Sequence, residues 1–323
     1  MKLFYLFSFL IIFCFIFQTM QFSLEINKDG KRFCNFPKAS SVNNTNKAFF
    51  ISGHYDFGMQ RIIYTSANKG TCNPNIPKQW DSVITIQDGG SISNVILGVS
   101  PDGTSADINC LGSCKLTNVY WEKVCWRAAS FRAPSDYNYN RMHKQSLDST
   151  QFQYIVEGGG AVDAFQKVFD QSGPGKTIVN NFCAANAAII LRSCGDCGLQ
   201  YPRDLTITNS KFMGPGLTLI GANTNPKYTD RVTLKNIQVY GQNNKNTKIA
   251  YACQEIPGKG YAPGEKVICL DLSQFEELQT KHRKGKECWF KGDVANWHYF
   301  GYRNYSIDNR PCLKWIDNIF LPK

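Results

Sequence analysis

The chain has 323 residues, which is enough for one large domain or two ordinary ones. Its formal charge of +11 favours polyanionic partners, because a cationic surface attracts and steers them. The sequence contains no basic helix, RNP motif or zinc-finger spacing, and this excludes the common nucleic-acid-binding modules.

The N-terminus begins with Lys2 and an apolar run from Leu3 to Phe17. This run is shorter than the roughly 20 residues that a membrane span needs. It predicts a signal peptide at residues 1–23, with an uncleaved anchor as the alternative. We therefore expect a secreted, extracellular and monomeric protein that has no membrane contact after cleavage.

The chain has 13 cysteines, and Cys14 lies within the predicted signal peptide. The remaining even number is typical of a disulfide framework in a secreted protein. Two close pairs, Cys110 with Cys114 and Cys194 with Cys197, have spacings that would also suit a metal. The four histidines are scattered along the chain, so we predict structural disulfides rather than a metal site.

A short pattern recurs from residue 81 onward, with an apolar residue, a spacer and an asparagine inside a β-rich alternation. The copies are centred on Asn94, Asn118, Asn180, Asn209 and Asn236, with Glu157 in a sixth copy. Periods of about 20 to 50 residues indicate stacked architectures. The pattern predicts a parallel β-helix whose asparagines stack at a buried turn. A β-sandwich with coincidental spacing is the alternative.

Two basic residues interrupt apolar runs, Lys167 in AFQKVF and Arg192 in IILRSCG. Lys167 follows Glu157 by 10 residues and Arg192 follows Asn180 by 12, so both have nearly the same phase in adjacent coils. Such coils stack at about 4.8 Å, which predicts that the two cations are neighbours. A partly buried lysine beside a second cation loses proton affinity and can act as a base. Alternatively, its stem covers the core while its ammonium group stays in water.

Several blocks resemble one known family, and they occur in order over about residues 35–257. They include INCLGSCKLTNVYWEKVC (108–125), GGGAVDAFQKVFDQSGPG (158–175), LRSCGDC (191–197) and VTLKNIQVYG (232–241). They resemble the family-three polysaccharide lyases, which are secreted pectate lyases. The resemblance implies an all-β fold, a right-handed parallel β-helix with disulfides at residues 24–257, followed by a C-terminal extension. It implies polygalacturonate, the acidic pectin of plant cell walls, as the substrate.

The family's reaction is β-elimination, in which a base removes the proton at C5 of a uronate and the C4 glycosidic oxygen leaves. Cations beside the uronate carboxylate stabilise the enolate-like charge of the transition state. In the family a calcium ion held by acidic residues supplies part of this charge. The resemblance implies that Lys167 is the base and that Arg192 binds the carboxylate.

The sequence departs from the family at the calcium ligands. The family usually has WWEDVxEDA, whereas this chain has YWEKVCWRA, so that Trp126 and Arg127 stand at two ligand positions. An upstream aspartate ligand corresponds to Asp107, with Asp102 as the other candidate. The calcium site that the resemblance implies is therefore largely lost.

Two hypotheses explain this loss. In the first, Arg127 places a fixed cation where calcium would bind, and Arg132 adds a second charge that binds substrate. The enzyme is then calcium-independent and prefers a different ester state of pectin or a different polyuronate. In the second, catalysis is lost and the protein is a secreted polyuronate-binding or host-interacting protein. The motifs of pectin hydrolases and of GxSxG hydrolases are absent, and this disfavours both of those classes.

Residues 258–323 are rich in basic and aromatic residues and contain three cysteines. We predict that they form a disulfide-pinned extension that packs on one side or end of the solenoid and covers its strand edges. A platform on which sugars stack is the alternative.

Overall fold

The computed structural model describes residues 29–65, 82–100, 107–134, 151–195, 197, 200–223, 227–244, 247–256, 304–306 and 316–320. The predicted signal peptide and most of the predicted C-terminal extension lie outside these ranges. Residues 29–33 form one helical turn, and the other regular elements of the described part are strands. No helix among the described residues is long and apolar enough to cross a bilayer.

Eighteen strands occur within the described ranges. In chain order they are β1 (Val42–Thr45), β2 (Phe49–Ile51), β3 (His54–Tyr64), β4 (Ile84–Gln87), β5 (Gly90–Leu97), β6 (Ile108–Leu111), β7 (Cys114–Trp121), β8 (Ala129–Arg132), β9 (Phe152–Glu157), β10 (Gly160–Gln171), β11 (Gly175–Asn180), β12 (Cys183–Ser193), β13 (Arg203–Met213), β14 (Gly216–Asn223), β15 (Arg231–Tyr240), β16 (Ile249–Ile256), β17 (Asn304–Ser306) and β18 (Ile316–Phe320).

These strands wind into a solenoid with three parallel sheets. The first sheet pairs β9 and β11 with the first halves of β3, β5, β7, β13 and β15. The second sheet pairs β1, the second halves of those long strands, and the first halves of β10 and β12. The third sheet pairs β2, β4, β6 and β8 with the second halves of β10 and β12 and with β14 and β16. The predicted parallel β-helix is confirmed.

Asparagines form the corner between the first and second sheets. The corner residues have φ between 50° and 55°, in the left-handed region that asparagine tolerates better than most residues. They are Asn94, Asn118, Asn209 and Asn236. Their side-chain amides bond from coil to coil, with Asn118 Nδ2 donating to Asn94 Oδ1 at 3.1 Å and Asn236 Nδ2 donating to Asn209 Oδ1 at 2.7 Å. The predicted stacking of asparagines is therefore confirmed.

Two details of the predicted corner are wrong. The asparagine side chains lie on the outside of the solenoid, where Asn118 is exposed, because the flanking Leu116 and Val119 take the inward positions. In the coil of Asn180 the left-handed residue is Asn181. Asn180 itself joins the ladder by donating to the Glu157 carboxylate at 2.9 Å.

The solenoid starts earlier than the asparagine repeat indicates. Strands β1, β2 and β3 precede residue 81 and pair in parallel with later coils. The corner of this first coil is made by Gly58 and Met59, both with positive φ. Since no asparagine stands there, the sequence pattern does not reveal this coil.

Aromatic rings fill the interior beneath the third sheet. Phe131 stacks on Tyr154 and on Phe169 with centroid distances of 5.1 and 5.7 Å, and Trp121 meets Phe169 edge-on at 5.9 Å. These rings are fully buried. Stacked rings of this size contribute a large share of the apolar area that stabilises a core, and they fix the strands that carry the site described below.

Disulfides link both close cysteine pairs, Cys110 with Cys114 and Cys194 with Cys197. This confirms the prediction of disulfides rather than a metal at these pairs. A third disulfide joins Cys34 to Cys183 across 149 residues and holds the N-terminal helical turn against the second sheet. Closing so long a loop restricts the unfolded chain strongly.

Strands β17 and β18 lie at the last coil of the solenoid. Strand β18 pairs in parallel with β15, and β17 pairs antiparallel with β16. The division into a solenoid at 24–257 and an extension at 258–323 remains a prediction.

Candidate active site

The outer side of the third sheet carries a row of polar residues. Ser130, Asp170 and Arg192 are directly opposite one another on β8, β10 and β12. The preceding residue on β10, Phe169, belongs to the buried core. Because side chains alternate along a strand, Asp170 and Arg192 extend from the outer side of the solenoid.

Asp170 is the centre of a charge cluster on this surface. Its Oδ1 lies 3.2 Å from Lys167 Nζ, and its Oδ2 lies 3.3 Å from Arg127 Nη1. Arg127 also reaches Asp107, with 3.6 Å between Nε and Oδ2. The charge cluster thus consists of Asp107, Arg127, Arg132, Lys167, Asp170 and Arg192. Its four cations exceed its two carboxylates, so the surface carries net positive charge.

The cations of the cluster control the ionisation of Asp170. Burial by itself opposes ionisation of this carboxyl, yet the charges of Lys167, Arg127 and Arg132 outweigh it and lower its pKa from 3.8 to about 2. The carboxylate is therefore ionised at neutral pH. A permanent negative charge beside Lys167 stabilises the ammonium form of that lysine.

We expect Asp170→Asn to lower the free energy of unfolding by about 2 kcal/mol at pH 7. The reason is that the lowered pKa means that the native state stabilises the ionised carboxylate relative to the unfolded chain. A carboxyl whose pKa is lowered in the native state stabilises the fold at pH values above its pKa in the unfolded chain. This stabilisation is lost as the pH falls through the native-state pKa. Urea denaturation should show the difference from wild type narrowing between about pH 4 and pH 2.

Asp204→Asn is the matched control, because Asp204 pairs with Arg231 at 2.6 Å on an exposed surface. Exposed pairs of this kind contribute about 0 to 1 kcal/mol. A loss for Asp170→Asn that does not exceed that of the control, or that stays constant with pH, would contradict the ionic role of Asp170.

The structure brings Lys167 and Arg192 to the same sheet, but with a different register from the one expected. Lys167 is opposite Ile189, while Arg192 is opposite Asp170. An extra residue between Ala164 and Lys167 shifts the pairing, and sequence spacing cannot reveal such a bulge. Both cations adjoin Asp170, so the neighbour of Lys167 is a carboxylate as well as cations.

Residues 124–127 run alongside the bulge of β10. The backbone amide of Lys167 donates to the carbonyl of Trp126 at 3.2 Å, and Val124 forms a parallel bridge with Ala164. This contact places Arg127 next to Lys167 in space, although 40 residues separate them. Trp126 is half-buried in this segment.

Calcium does not fit the charge cluster. Calcium takes six to eight oxygen ligands in proteins, whereas the cluster offers the carboxylates of Asp107 and Asp170 with the Arg127 guanidinium between them. Among the described residues no group of three or more histidine, cysteine, aspartate or glutamate side chains could hold a metal. Asp107, the implied ligand, pairs with Arg127, and Asp102 lies outside the described residues.

Sequence reasoning missed two residues of this surface. Asp170 stands in VFDQ, between residues that fill the core, and its only signal is an acidic residue three positions after Lys167. Phe165 is 62% exposed, but its setting in an apolar run indicates a core residue. Arg132 lies at the end of β8 and contributes to the lowered pKa of Asp170. Its role in binding substrate remains a prediction.

A parallel β-helix with a cationic outer face is suited to binding an acidic polymer, and comparison with known proteins identifies the family. Residues 34–260 match the sequence family described as pectate lyase, and the chain therefore belongs to the pectate lyase family. Two Emericella nidulans proteins, probable pectate lyases D and G, are 30% and 33% identical to it. The alignments cover 66% and 61% of this chain and 73% and 67% of those relatives. The resemblance seen in the sequence is confirmed, and the family is one of polysaccharide lyases.

Solved structures of pectate lyases also align with this chain. A pectate lyase from Pectobacterium carotovorum has a TM-score of 0.48 at 24% identity, over 71% of this chain and 61% of that one. The catalytic domain of a pectate lyase from Erwinia chrysanthemi has a TM-score of 0.46 at 21% identity, over 69% of this chain and 88% of that one. Alignments at these values carry no residue assignments.

Proposed function

We propose that this protein is a secreted pectate lyase that cleaves polygalacturonate by β-elimination without calcium. The observation that supports this proposal most directly is the grouping of Lys167, Arg127 and Arg192 around one buried carboxylate on the third sheet. The names of the matched relatives, which are pectate lyases, agree with this activity. The predicted signal peptide and disulfide framework agree with secretion.

The proposed reaction assigns one task to each cation. The neutral amine of Lys167 takes the C5 proton of a uronate, the C4–oxygen bond breaks, and a C4–C5 double bond forms. The leaving oxygen takes a proton from water. Arg192 and Arg132 bind the uronate carboxylate, on which negative charge accumulates as the C5 proton departs. Arg127 supplies the fixed positive charge that the implied calcium would otherwise supply.

Asp170 sets the pH at which this base works. The attraction between Lys167 and Asp170 is one of the causes of the lowered pKa of Asp170, and it also favours the Lys167 ammonium, since the coupling of two sites is reciprocal. The reactive neutral amine is therefore more abundant at alkaline pH. We expect the rate of cleavage to rise with pH and the rising limb to move to lower pH in Asp170→Asn.

The direct experiment is to incubate the purified protein with polygalacturonate, with and without a chelator, at a series of pH values from neutral to alkaline. We expect the ultraviolet absorbance of the unsaturated product to rise at the same rate in both samples. Complete loss of product in the chelator would contradict calcium independence.

Absence of product on every pectin and polyuronate would contradict the lyase activity. The protein would then be better described as a protein that binds acidic polysaccharide. The observation that favours this second function is the 3.2 Å ion pair between Lys167 and Asp170. Retention on gels that contain acidic polysaccharide would support it.

A further inference from the structure

Phe165 is an exposed aromatic side chain next to the proposed base. It is 62% exposed and precedes Lys167 by two residues on the same strand. Its backbone amide donates to the carbonyl of Val124 at 3.0 Å, and the amide of Lys167 donates to Trp126 at 3.2 Å. The backbones of both residues are therefore held by the neighbouring segment, and this fixes the points from which the phenyl ring and the Lys167 side chain extend.

The bulge explains why this ring is outside the core. The register of β10 against β12 shifts between Ala164 and Lys167, and the side chains between these two positions leave the regular inward and outward alternation. Leaving a phenyl ring in water forgoes the stabilisation that burial would give. An exposed phenyl ring that borders a charged site offers an apolar contact to a ligand that binds there.

The charges next to Phe165 are partly neutralised within the protein. Arg127 lies between the carboxylates of Asp107 and Asp170, and Lys167 also pairs with Asp170. The residue between Phe165 and Lys167 is the uncharged Gln166. The surface beside the charge cluster thus offers an apolar ring rather than a further charge.

We propose that Phe165 is a specificity-determining residue that packs against the sugar next to the reacting one and favours a methyl-esterified uronate there. The Cα atoms of residues two apart in the chain are at most about 7 Å apart, so the ring is within reach of a sugar that adjoins the one over Lys167. An ester methyl group and the C–H face of a sugar pack on a phenyl ring, while a carboxylate would lose hydration there. The preferred substrate is partially methyl-esterified pectin, an inference that rests on the proposed function.

The test compares Phe165→Ala with Tyr55→Ala, because Tyr55 is an aromatic residue that is 46% exposed on the part of β3 that pairs in the first sheet, away from the charge cluster. We expect Phe165→Ala to lower kcat/KM on partially methyl-esterified pectin by about tenfold, the effect of losing one apolar contact. On polygalacturonate the loss should be less than about threefold. Phe165→Trp should keep the preference, and Tyr55→Ala should match wild type.

A binding measurement separates this inference from the proposed activity. In the Lys167→Arg background, which keeps the positive charge, retention is measured on gels that contain either polymer. Loss of retention on the esterified polymer alone in Phe165→Ala supports the inference even if the wild-type protein cleaves nothing. Unchanged retention and an unchanged substrate ratio overturn it while leaving the lyase activity standing. Equal losses on both polymers also overturn it, because they indicate a structural role.

Discussion

Lys167→Arg is expected to lower kcat/KM on polygalacturonate by about 10³-fold, the contribution typical of general base catalysis. Arginine keeps a positive charge beside Asp170, so the ion pair that now measures 3.2 Å can still form and the fold is retained. Its guanidinium does not lose a proton in the working pH range. The variant therefore removes the base while leaving the charge of the cluster unchanged, and initial rates of product absorbance measure the effect.

Lys176→Arg is the matched control, because Lys176 is an exposed lysine on β11 in the first sheet. It should retain the wild-type rate. Lys167→Ala is a less informative variant, since it leaves Asp170 with one fewer cation and mixes loss of the base with loss of stability. Activity of Lys167→Arg within tenfold of wild type, with unchanged circular dichroism, would contradict the assignment of Lys167 as the base.

The fold could be predicted from the sequence where one residue type marks each coil. A left-handed corner admits few residues, so asparagine recurs at Asn94, Asn118, Asn209 and Asn236 and reveals the coil length. The first coil uses Gly58 and Met59 at the same corner and escapes the pattern. The asparagine repeat thus marks the coils whose left-handed corner is made by asparagine. It does not reveal a coil whose corner is made by other residues.

The site was predictable only in part. Lys167 and Arg192 stand out because each interrupts an apolar run, and their shared sheet follows from the repeat. The role of Asp170 depends on contacts that sequence spacing does not show, since its partner Arg127 is 43 residues away and the bulge before Lys167 changes the register. We expected a cation as the main neighbour of Lys167, whereas the structure shows a mixed cluster in which the Asp170 carboxylate pairs with the lysine.

The second large effect is expected at Arg127. Arg127→Ala should lower kcat/KM by about 10²-fold, because it removes one fixed charge that stabilises the transition state. Its side chain is 24% exposed and contacts both carboxylates of the cluster. Because this positive charge belongs to the protein and not to a metal ion, the loss of kcat/KM should be the same with and without chelator. Arg231→Ala, which removes an exposed arginine that pairs with Asp204, should keep full activity.

Arg127→Asp tests whether arginine has taken the place of a metal. This substitution adds a third carboxylate between Asp107 and Asp170, and three carboxylates are a set of hard oxygen ligands that calcium accepts. We expect the variant to be inactive in chelator, to regain part of its activity with added calcium, and to melt at a higher temperature when calcium is present. The wild-type protein should show no change in melting temperature on adding calcium, because the Arg127 guanidinium already lies between the two carboxylates. Stabilisation of the wild-type protein by calcium, together with full activity of Arg127→Ala, would show that the fixed cation is dispensable and that the metal site lies elsewhere.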